Sequence, residues 1–237
     1  MKKSIIYFNI FLIFIMLTSC ANQSRFINPE YSDITIKDPI LLLPQFENYD
    51  FIENENLFNE LDINYSKEEY YDYFLDNFEK NLDEQSIFDK IQYIKYDTAP
   101  RYETRTLNLN KKEKFTFDLP SQPLNLNISG SVFILFLEDL RMSFSRKTKE
   151  ATTSTRTYKA SGTTEKDVQL HSIKEFKYYI TLDSKYVLYD NSNGELVSYG
   201  TASSVERFIP PSPIEHSISR LINHFTGKIF KKTPFEI

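Results

Sequence analysis

The sequence predicts an α+β domain in which a mixed β-sheet of about five to seven strands carries two main amphipathic helices on one face. Three features lead to this prediction: apolar runs and alternating segments of strand length, two long segments with helical periodicity, and no second linker after residue 39. With 237 residues, the chain is long enough to bury a substantial core in a single domain.

The first residues of the chain have the layout of an export signal. Lys2 and Lys3 supply a basic start, and residues 5–17 form an apolar run of 13 residues that only Asn9 interrupts. A helix that spans a membrane needs about 20 apolar residues. The run is shorter than that, so we predict that residues 1–19 are a cleaved signal peptide rather than a permanent anchor.

The apolar run ends in Leu17-Thr18-Ser19-Cys20, which matches a lipobox, the signal at which bacterial lipoproteins are cleaved and lipidated. Cys20 is the only cysteine in the chain and cannot form an internal disulfide. An unpaired thiol in an exported protein calls for an explanation, and lipidation provides one. The alternative is an ordinary signal peptide cut near Ala21, which would discard Cys20.

The resemblance to bacterial lipoproteins implies that Cys20 becomes the first mature residue and carries several acyl chains, which together anchor a protein stably in a membrane. Ala21 stands where an Asp would cause inner-membrane retention in enteric bacteria, so the resemblance implies the periplasmic face of an outer membrane. Residues 20–38 are polar, contain Pro29 and show no sustained period. We expect them to form a flexible tether, followed by one α+β domain over residues 39–237.

Several segments have the patterns expected of β-strands. Residues 40–43 are a continuous apolar run bounded by Pro39 and Pro44, which favours a strand buried on both faces. Residues 104–109 and 114–119 alternate apolar and polar side chains, and the short polar segment between them predicts a hairpin.

A strong turn signal separates the last two predicted strands. Asp190 to Glu195 is rich in Asn, Ser and Gly, and Gly194 is the residue expected at positive φ. The remaining strands are expected over residues 91–96, 125–145, 176–182 (continued over 185–189 past a bulge near Asp183) and 196–205.

Two segments are predicted to be amphipathic helices. The first covers about 67–84, where Ser66 and Glu69 form a capping box. Its apolar stripe at helical spacing consists of Tyr71, Phe74, Leu75, Phe78 and Leu82. The second helix is predicted to have Ser212 at its N-cap and Pro213 at its first position. Its apolar face is Ile214, Ile218, Leu221, Phe225 and Ile229, and its C-terminal cations, which the helix dipole favours, are Lys228, Lys231 and Lys232.

Residues 145–167 form a polar insertion between two central strands. Of these 23 residues, ten are Ser or Thr, six are Lys or Arg and three are acidic, and Tyr158 is the only large apolar residue. We expect a mobile loop or the tip of a long polar hairpin. A membrane-spanning hairpin needs about 9–11 residues per strand with an apolar outer face. Residues 147–157 offer no such face, which argues against a membrane channel.

Acidic residues are concentrated in one part of the chain. Residues 47–90 contain 14 acidic and 3 basic residues, whereas the remainder of the mature chain has a net charge of +4. Such asymmetry is typical of a solvated helix face or of a partner surface. The possible partner surface consists of Asp72, Asp76, Glu79 and Asp83. An acidic chain in which no basic helix is evident gives no indication of nucleic-acid binding.

No motif in the sequence predicts catalysis. The glycines do not form GxGxxG or a P-loop, and no GxSxG elbow occurs. His216 and His224 are separated by about 12 Å of helix rise, which is too far to share a metal, so His171 is the remaining histidine that a triad could use. The segment 190–195 resembles the start of a calcium loop but lacks the downstream Glu. We therefore expect no enzymatic activity, no cofactor and no metal.

Four passages resemble the envelope lipoprotein domains related to the curli secretion lipoprotein and to the N-terminal domain of the Tol-system propeller protein. They are ILLLPQFEN at 40–48, SIFDKI at 86–91, GSVFILFL at 130–137 and VLYDNSNGEL at 187–196. The resemblance covers roughly residues 39–230 and includes the order of the elements. It implies a sheet with helices on one face and a role in envelope assembly or scaffolding, with no catalytic residues inherited.

These observations leave three functions for a membrane-anchored protein. The first is a non-enzymatic accessory or assembly factor that docks on another envelope protein through the acidic helix face or the 145–167 insertion. The second is a small-ligand or lipid carrier in which the many aromatic residues line a cavity. The third, less favoured by the polar insertion, is a subunit of an oligomeric secretion channel.

Overall fold

The computed structural model describes residues 25–31, 34–44, 49–52, 67–94, 101–109, 114–156 and 168–237. Within these ranges the predicted α+β class is confirmed. The strands are β1 (Arg25–Ile27), β2 (Pro39–Pro44), β3 (Tyr49–Ile52), β4 (Lys90–Ile94), β5 (Tyr102–Asn108), β6 (Lys114–Pro120), β7 (Ser131–Arg156), β8 (Val168–Asp190) and β9 (Glu195–Phe208). The helices are α1 (Lys67–Gln85) and α2 (Ile214–Phe230), with a short 3-10 helix at Pro29–Tyr31.

Seven of these strands form one mixed sheet. Its order is β1-β9-β8-β7-β2-β4, and β3 pairs with β7 as well. The pairs β2–β4, β2–β7 and β3–β7 are parallel, whereas β7–β8, β8–β9 and β1–β9 are antiparallel. Strands β5 and β6 form a separate two-stranded sheet, which confirms the predicted hairpin.

Strand β2 is buried on both faces, as its apolar run predicts. Leu41 and Leu43 belong to the apolar cluster beneath the helices, and Leu42 belongs to a second cluster on the opposite face of the sheet. All three side chains are fully buried. The sheet is therefore covered on both sides here, by the helices on one face and by the β5–β6 hairpin on the other.

A β-bulge in β7 controls which face its side chains reach. Glu138 pairs with Lys185 and Arg141 with Asp183, so three steps along β7 match two along β8. The extra residue moves the following apolar side chains to the helix-covered face, where Leu140, Met142 and Phe144 are buried. The prediction of a bulge near Asp183 was thus wrong about the strand: β8 is continuous, and the bulge lies opposite it. The predicted start of β7 at residue 125 was also wrong, because the strand begins at Ser131.

Strands β7 and β8 continue far beyond the rest of the sheet. From Arg146↔Tyr178 to Arg156↔Val168 they pair with each other, whereas β3 ends opposite Ser143 and β9 ends opposite Tyr178. Most of the predicted polar insertion is therefore a long two-stranded ribbon rather than a loop. Residues 157–167 lie outside the described residues.

Helix α1 has its predicted bounds within one residue, α2 begins one residue after the predicted first position at Pro213, and the apolar stripes of both helices face the core. Phe74, Phe78 and Leu82 of α1 are fully buried, and so are Leu221, Phe225 and Ile229 of α2. The predicted cap of α2 was wrong. Pro213 occupies the N-cap position, with no capping hydrogen bond from a side chain, because Pro213 is extended and Ser212 lies one residue too early.

The predicted flexible tether over residues 20–38 was wrong for its described middle part. Arg25–Ile27 pairs with Ser198–Gly200 as the edge strand β1, and Phe26 stacks on Tyr199 with ring centroids 4.8 Å apart. Tyr31 is only 4% exposed and belongs to the core. Residues 25–27 are therefore attached to the sheet, and Tyr31 is attached to the core. Among the described residues, neither helix is long and apolar enough to cross a membrane.

Candidate functional site

The two helices lie side by side on the same face of the sheet and run in the same direction. Near their starts, the Tyr73 hydroxyl donates to the Glu215 carbonyl at 3.1 Å. Towards their ends, Gln85 Nε2 donates to the Asn223 carbonyl at 3.2 Å. Helix α2 packs over β8 and β9, whereas α1 packs against α2 and β4. Each helix therefore presents its outer face on its own side of the domain.

The outer face of α1 is acidic. The predicted partner residues Asp72, Asp76, Glu79 and Asp83 are all exposed. The helix contains seven acidic residues and two basic ones, and among its exposed side chains Lys80 is paired with Glu84 at 3.8 Å. The structure thus brings the four predicted carboxylates together on one solvent-facing strip, as the helical spacing predicts.

A groove of about 490 Å³ separates this strip from strand β4. Strand β4 is at the end of the strand order, beside β2, and it supplies Lys90 and Ile91 to the groove. The lining residues are Asp76, Glu79, Lys80, Asp83, Asp89, Lys90 and Ile91. Carboxylates outnumber cations here, so the groove suits a basic or hydrogen-bonding partner.

Tyr93 joins β4 to α1 at the edge of the same region. Its hydroxyl donates to the Leu75 carbonyl at 3.2 Å. Burial raises the pKa of the Tyr93 hydroxyl, and the nearby Glu79 carboxylate raises it further. The phenol therefore stays neutral at physiological pH and acts as a structural donor that fixes the distance between helix and strand.

The outer face of α2 carries the opposite charge. His216, Arg220, His224 and Lys228 follow one another at intervals of four residues, and all are exposed. Because residues four apart lie on one face of a helix, these four side chains form a continuous strip. Lys231 at the C-cap is exposed next to the end of this strip, and we call the five residues together the basic stripe.

Few carboxylates accompany the basic stripe. Glu206 of β9 accepts from Arg220 Nε at 2.6 Å and lies 3.8 Å from His224 Nδ1. The Lys228 ammonium donates to the Ser203 carbonyl of β9. Arg25 of β1 adds its charge to the same side, because its Nη1 donates to the Lys228 carbonyl at 3.1 Å.

A second polar cluster closes one end of the sheet. The Tyr31 hydroxyl donates to Asp190 Oδ2 at 2.8 Å and accepts from Asn193 Nδ2 at 2.9 Å. Asp190 Oδ1 accepts from the Ser192 amide at 2.8 Å and from its hydroxyl at 2.6 Å. Every oxygen of this buried carboxylate is thus used inside the protein, and Gly194 has φ of +78°. The segment is the plain hairpin turn that its sequence predicts.

The other predicted site residues fall into two groups. Leu17, Thr18, Ser19 and Cys20 lie outside the described residues, so lipidation stays a prediction. His216 and His224 lie on the polar flank of α2, as expected, and the backbone of His171 lies in β8 opposite Thr153. The sequence reasoning missed the basic stripe, although the period of four from His216 to Lys228 was readable. It also missed Arg25, since nothing in a polar segment of this length predicts where it docks.

A scan of the chain against protein-family models finds no match, and a search of curated proteins finds none either. Within the described part of the chain, no group of three or more His, Cys, Asp or Glu side chains is arranged to hold a metal ion. The candidate site that the described residues offer is the pair of charged helix faces, acidic on α1 and basic on α2.

Proposed function

We propose that the protein is a non-enzymatic lipoprotein of the cell envelope, anchored through Cys20, which acts as an accessory or assembly factor by docking on another envelope protein through the acidic face of α1. The observation that carries this proposal is the strip of four exposed carboxylates beside the groove along β4. The anchoring half rests on the lipobox at residues 17–20.

The α1 face has three properties of a docking surface. Its carboxylates are exposed, so they can meet a partner without unfolding the domain. The groove makes the surface concave. A hydrogen bond from the Tyr93 hydroxyl on β4 to the Leu75 carbonyl on α1 connects its two sides. A field of one sign steers the encounter with a basic partner and fixes its orientation, which is the main contribution of charge at interfaces.

The position of α1 relative to the anchor supports the same function. Strand β1, which leads back to Cys20, is at one end of the strand order, whereas β4 beside α1 is at the other. A partner that binds the α1 face would therefore approach the domain from the side away from the lipid. This arrangement leaves the surface available while the protein is attached to its membrane.

The test is in-cell crosslinking of tagged full-length protein, followed by purification in mild detergent and mass spectrometry. We expect one stoichiometric envelope protein to be captured. The double reversal Asp76→Lys with Glu79→Lys should reduce its capture at least tenfold, because reversing charges in a complementary interface costs several kcal/mol. Adding Asp72→Lys and Asp83→Lys should abolish it.

The matched control is Glu30→Lys with Glu195→Lys, which changes the net charge equally at two exposed carboxylates near the opposite edge of the sheet. This control should capture the partner normally. Equal capture by both double variants would reject the α1 face as the docking surface. A ladder of self-crosslinked species of fixed size, with no second protein, would instead favour the oligomeric channel and give the β7–β8 ribbon the main role.

A further inference from the structure

The attachment of β1 to β9 makes the connection between lipid and domain short. Only residues 21–24 lie between Cys20, the predicted site of the lipid, and the docked Arg25, which is five residues further along the chain. An extended chain gains at most about 3.5 Å per residue, so this connection spans no more than about 17 Å. A domain of this size has a radius of gyration of about 17 Å. The connection is therefore too short for the anchor to reach the far side of the domain.

The side of the domain next to the anchor is the α2 side. Arg25 contacts α2 directly through the Lys228 carbonyl at 3.1 Å, and Lys228 in turn contacts β9, the strand to which β1 is paired. Helix α1 lies beyond α2, next to β4. The short connection thus places the basic stripe near the membrane and the acidic face of α1 away from it.

The charges on the α2 side favour an anionic surface. Arg25, Arg220, Lys228 and Lys231 are permanent cations in this region, with Lys232 and two exposed histidines beside them. In the described part of the chain, the carboxylates on this side include Glu206, which Arg220 already pairs, Glu215 at the first turn of α2, and Glu236, which accepts from the Lys232 amide at 2.5 Å. Cations remain in excess after these pairs are counted.

We propose that the basic stripe of α2 binds the anionic phospholipid headgroups of the membrane that carries the Cys20 anchor. The proposal rests on the proposed lipidation of Cys20. Headgroup binding by Arg220, Lys228 and Lys231 gives the protein a second membrane attachment beside its lipid. It also fixes the orientation of the domain, with the α1 face directed outward.

The test uses the full-length lipidated protein reconstituted into vesicles. Cys20 is the only natural cysteine and its sulfur carries the lipid, so Asn223→Cys on α2 or Lys80→Cys on α1 introduces one free thiol for a fluorescent probe. Vesicles are made of phosphatidylcholine alone or with phosphatidylglycerol, and contain a quencher at headgroup depth. We expect strong quenching of the α2 probe, dependent on phosphatidylglycerol, and little quenching of the α1 probe.

The stripe variant is Arg220→Gln, Lys228→Gln and Lys231→Gln, with the probe at residue 223. Each basic side chain near an anionic surface contributes a preference of about fivefold, so this variant should lower the preference for the apposed orientation on the order of 100-fold. The matched control removes one Arg and two Lys elsewhere, by Arg101→Gln, Lys37→Gln and Lys114→Gln, all exposed and outside the groove along α1. This control should behave as the parent protein, and thermal melts should show both variants folded.

Vesicle flotation separates failure of this inference from failure of the proposed function. Flotation with equal quenching at both probe positions, or quenching independent of phosphatidylglycerol, would overturn the headgroup site and leave lipid anchoring intact. Protein that does not float with vesicles would lack the lipid, which would overturn the headgroup site together with the anchoring half of the proposed function and leave docking by the α1 face to the crosslinking experiment. Equal loss of quenching in the stripe variant and its control would show that the orientation depends on net charge alone, which would reject the basic stripe as the headgroup site.

Discussion

Helices α1 and α2 share a direction and a face of the sheet, but they differ in what lies beneath them and in what they present outward. Helix α2 packs over β8 and β9 and buries nine of its residues. Helix α1 packs mainly on α2, and the strand it approaches most closely is β4. Outside, α1 is acidic and α2 is basic. Two amphipathic helices of similar length thus differ in what they pack against and in the charge of their outer faces.

The difference shows that the buried and the charged faces of each helix have separate roles. The apolar stripes attach both helices to one core, where the Phe78 and Phe225 rings lie 6.1 Å apart. The outer charges have no role in that core, so the two outer faces can carry opposite charge without affecting it. Helix α2 is close to the N-terminal strand β1 through Arg25, whereas α1 is close to β4 at the other end of the strand order.

The largest expected effect comes from cutting the contact between the helices. Phe225→Ala should cost about 4–5 kcal/mol and Phe78→Ala about 3–4 kcal/mol of the free energy of unfolding, since both side chains are fully buried. Phe225 should cost more because α2 lies directly on the sheet. The double variant should lose less than the sum by about 0.5–1.5 kcal/mol, the coupling of an aromatic pair.

Urea unfolding at neutral pH measures these free energies, with the slopes compared to confirm a common unfolded state. A greater loss of the free energy of unfolding for Phe78→Ala than for Phe225→Ala would contradict this assignment, because it would make α1 the helix on which the core depends. If the loss in the double variant equals the sum of the two single losses, the two rings have no coupling free energy.

The helices, the doubly buried strand β2, the β5–β6 hairpin and the turn at Gly194 could be predicted because each depends on a local pattern. Apolar residues at helical spacing locate the buried face of α1 and α2 with no knowledge of their partners. An apolar run between Pro39 and Pro44 requires cover on two faces, and the structure supplies it. The acidic strip followed from α1 alone.

The elements that could not be predicted depend on residues far away in the chain. Strand β1 has three residues, and it is a strand because Phe26 stacks on Tyr199 and its backbone pairs with β9. The β7 bulge is required by the positions of Leu140, Met142 and Phe144 relative to the helices, which the sequence of β7 alone does not contain. The basic stripe lies next to strand β1 because Arg25 donates to the Lys228 carbonyl. This contact joins residues far apart in the chain, so the local sequence does not predict it.

Two tyrosines extend the comparison to alkaline pH. Tyr186, on β8 below α2, is 1% exposed and its hydroxyl has no hydrogen-bond partner among the described residues. Burial raises the pKa of Tyr186 from 10.0 to about 12, against smaller lowering effects of the Arg25 charge and of the nearby Ser198 hydroxyl, which does not reach hydrogen-bond geometry. Below pH 10 the folded and unfolded chains both hold the proton. Between pH 10 and 12 only the folded chain holds it, so this group makes stability fall by roughly 2–3 kcal/mol across that window.

Tyr186→Phe should therefore leave stability at pH 7 within about 1 kcal/mol of the parent, or raise it, since an unpaired buried hydroxyl is removed. It should also flatten part of the decline above pH 10. Tyr93→Phe on the α1 side should cost about 0.5–1.5 kcal/mol at pH 7, because its hydroxyl donates to Leu75. Denaturant titrations at pH 7, 10 and 11 test both; equal losses at pH 7 would contradict the assignment.

The smallest expected effect concerns the contact between the helix ends. Gly227 lies within α2, where Gly costs about 0.5–1 kcal/mol relative to Ala. A Cβ there would lie 2.9 Å from Gln85 Oε1, the far end of a flexible side chain. Gln85 Nε2 donates to Asn81 Oδ1 and to the Asn223 carbonyl, each at 3.2 Å, so moving it weakens two hydrogen bonds. Gly227→Ala should thus raise stability only slightly, by about 0.3 kcal/mol.

In a Gln85→Ala background the same change should raise the free energy of unfolding by about 0.5–1 kcal/mol, since the Gln85 side chain no longer obstructs the added methyl group. A loss of stability in both backgrounds would show that α2 packs against α1 more tightly than this glycine contact indicates.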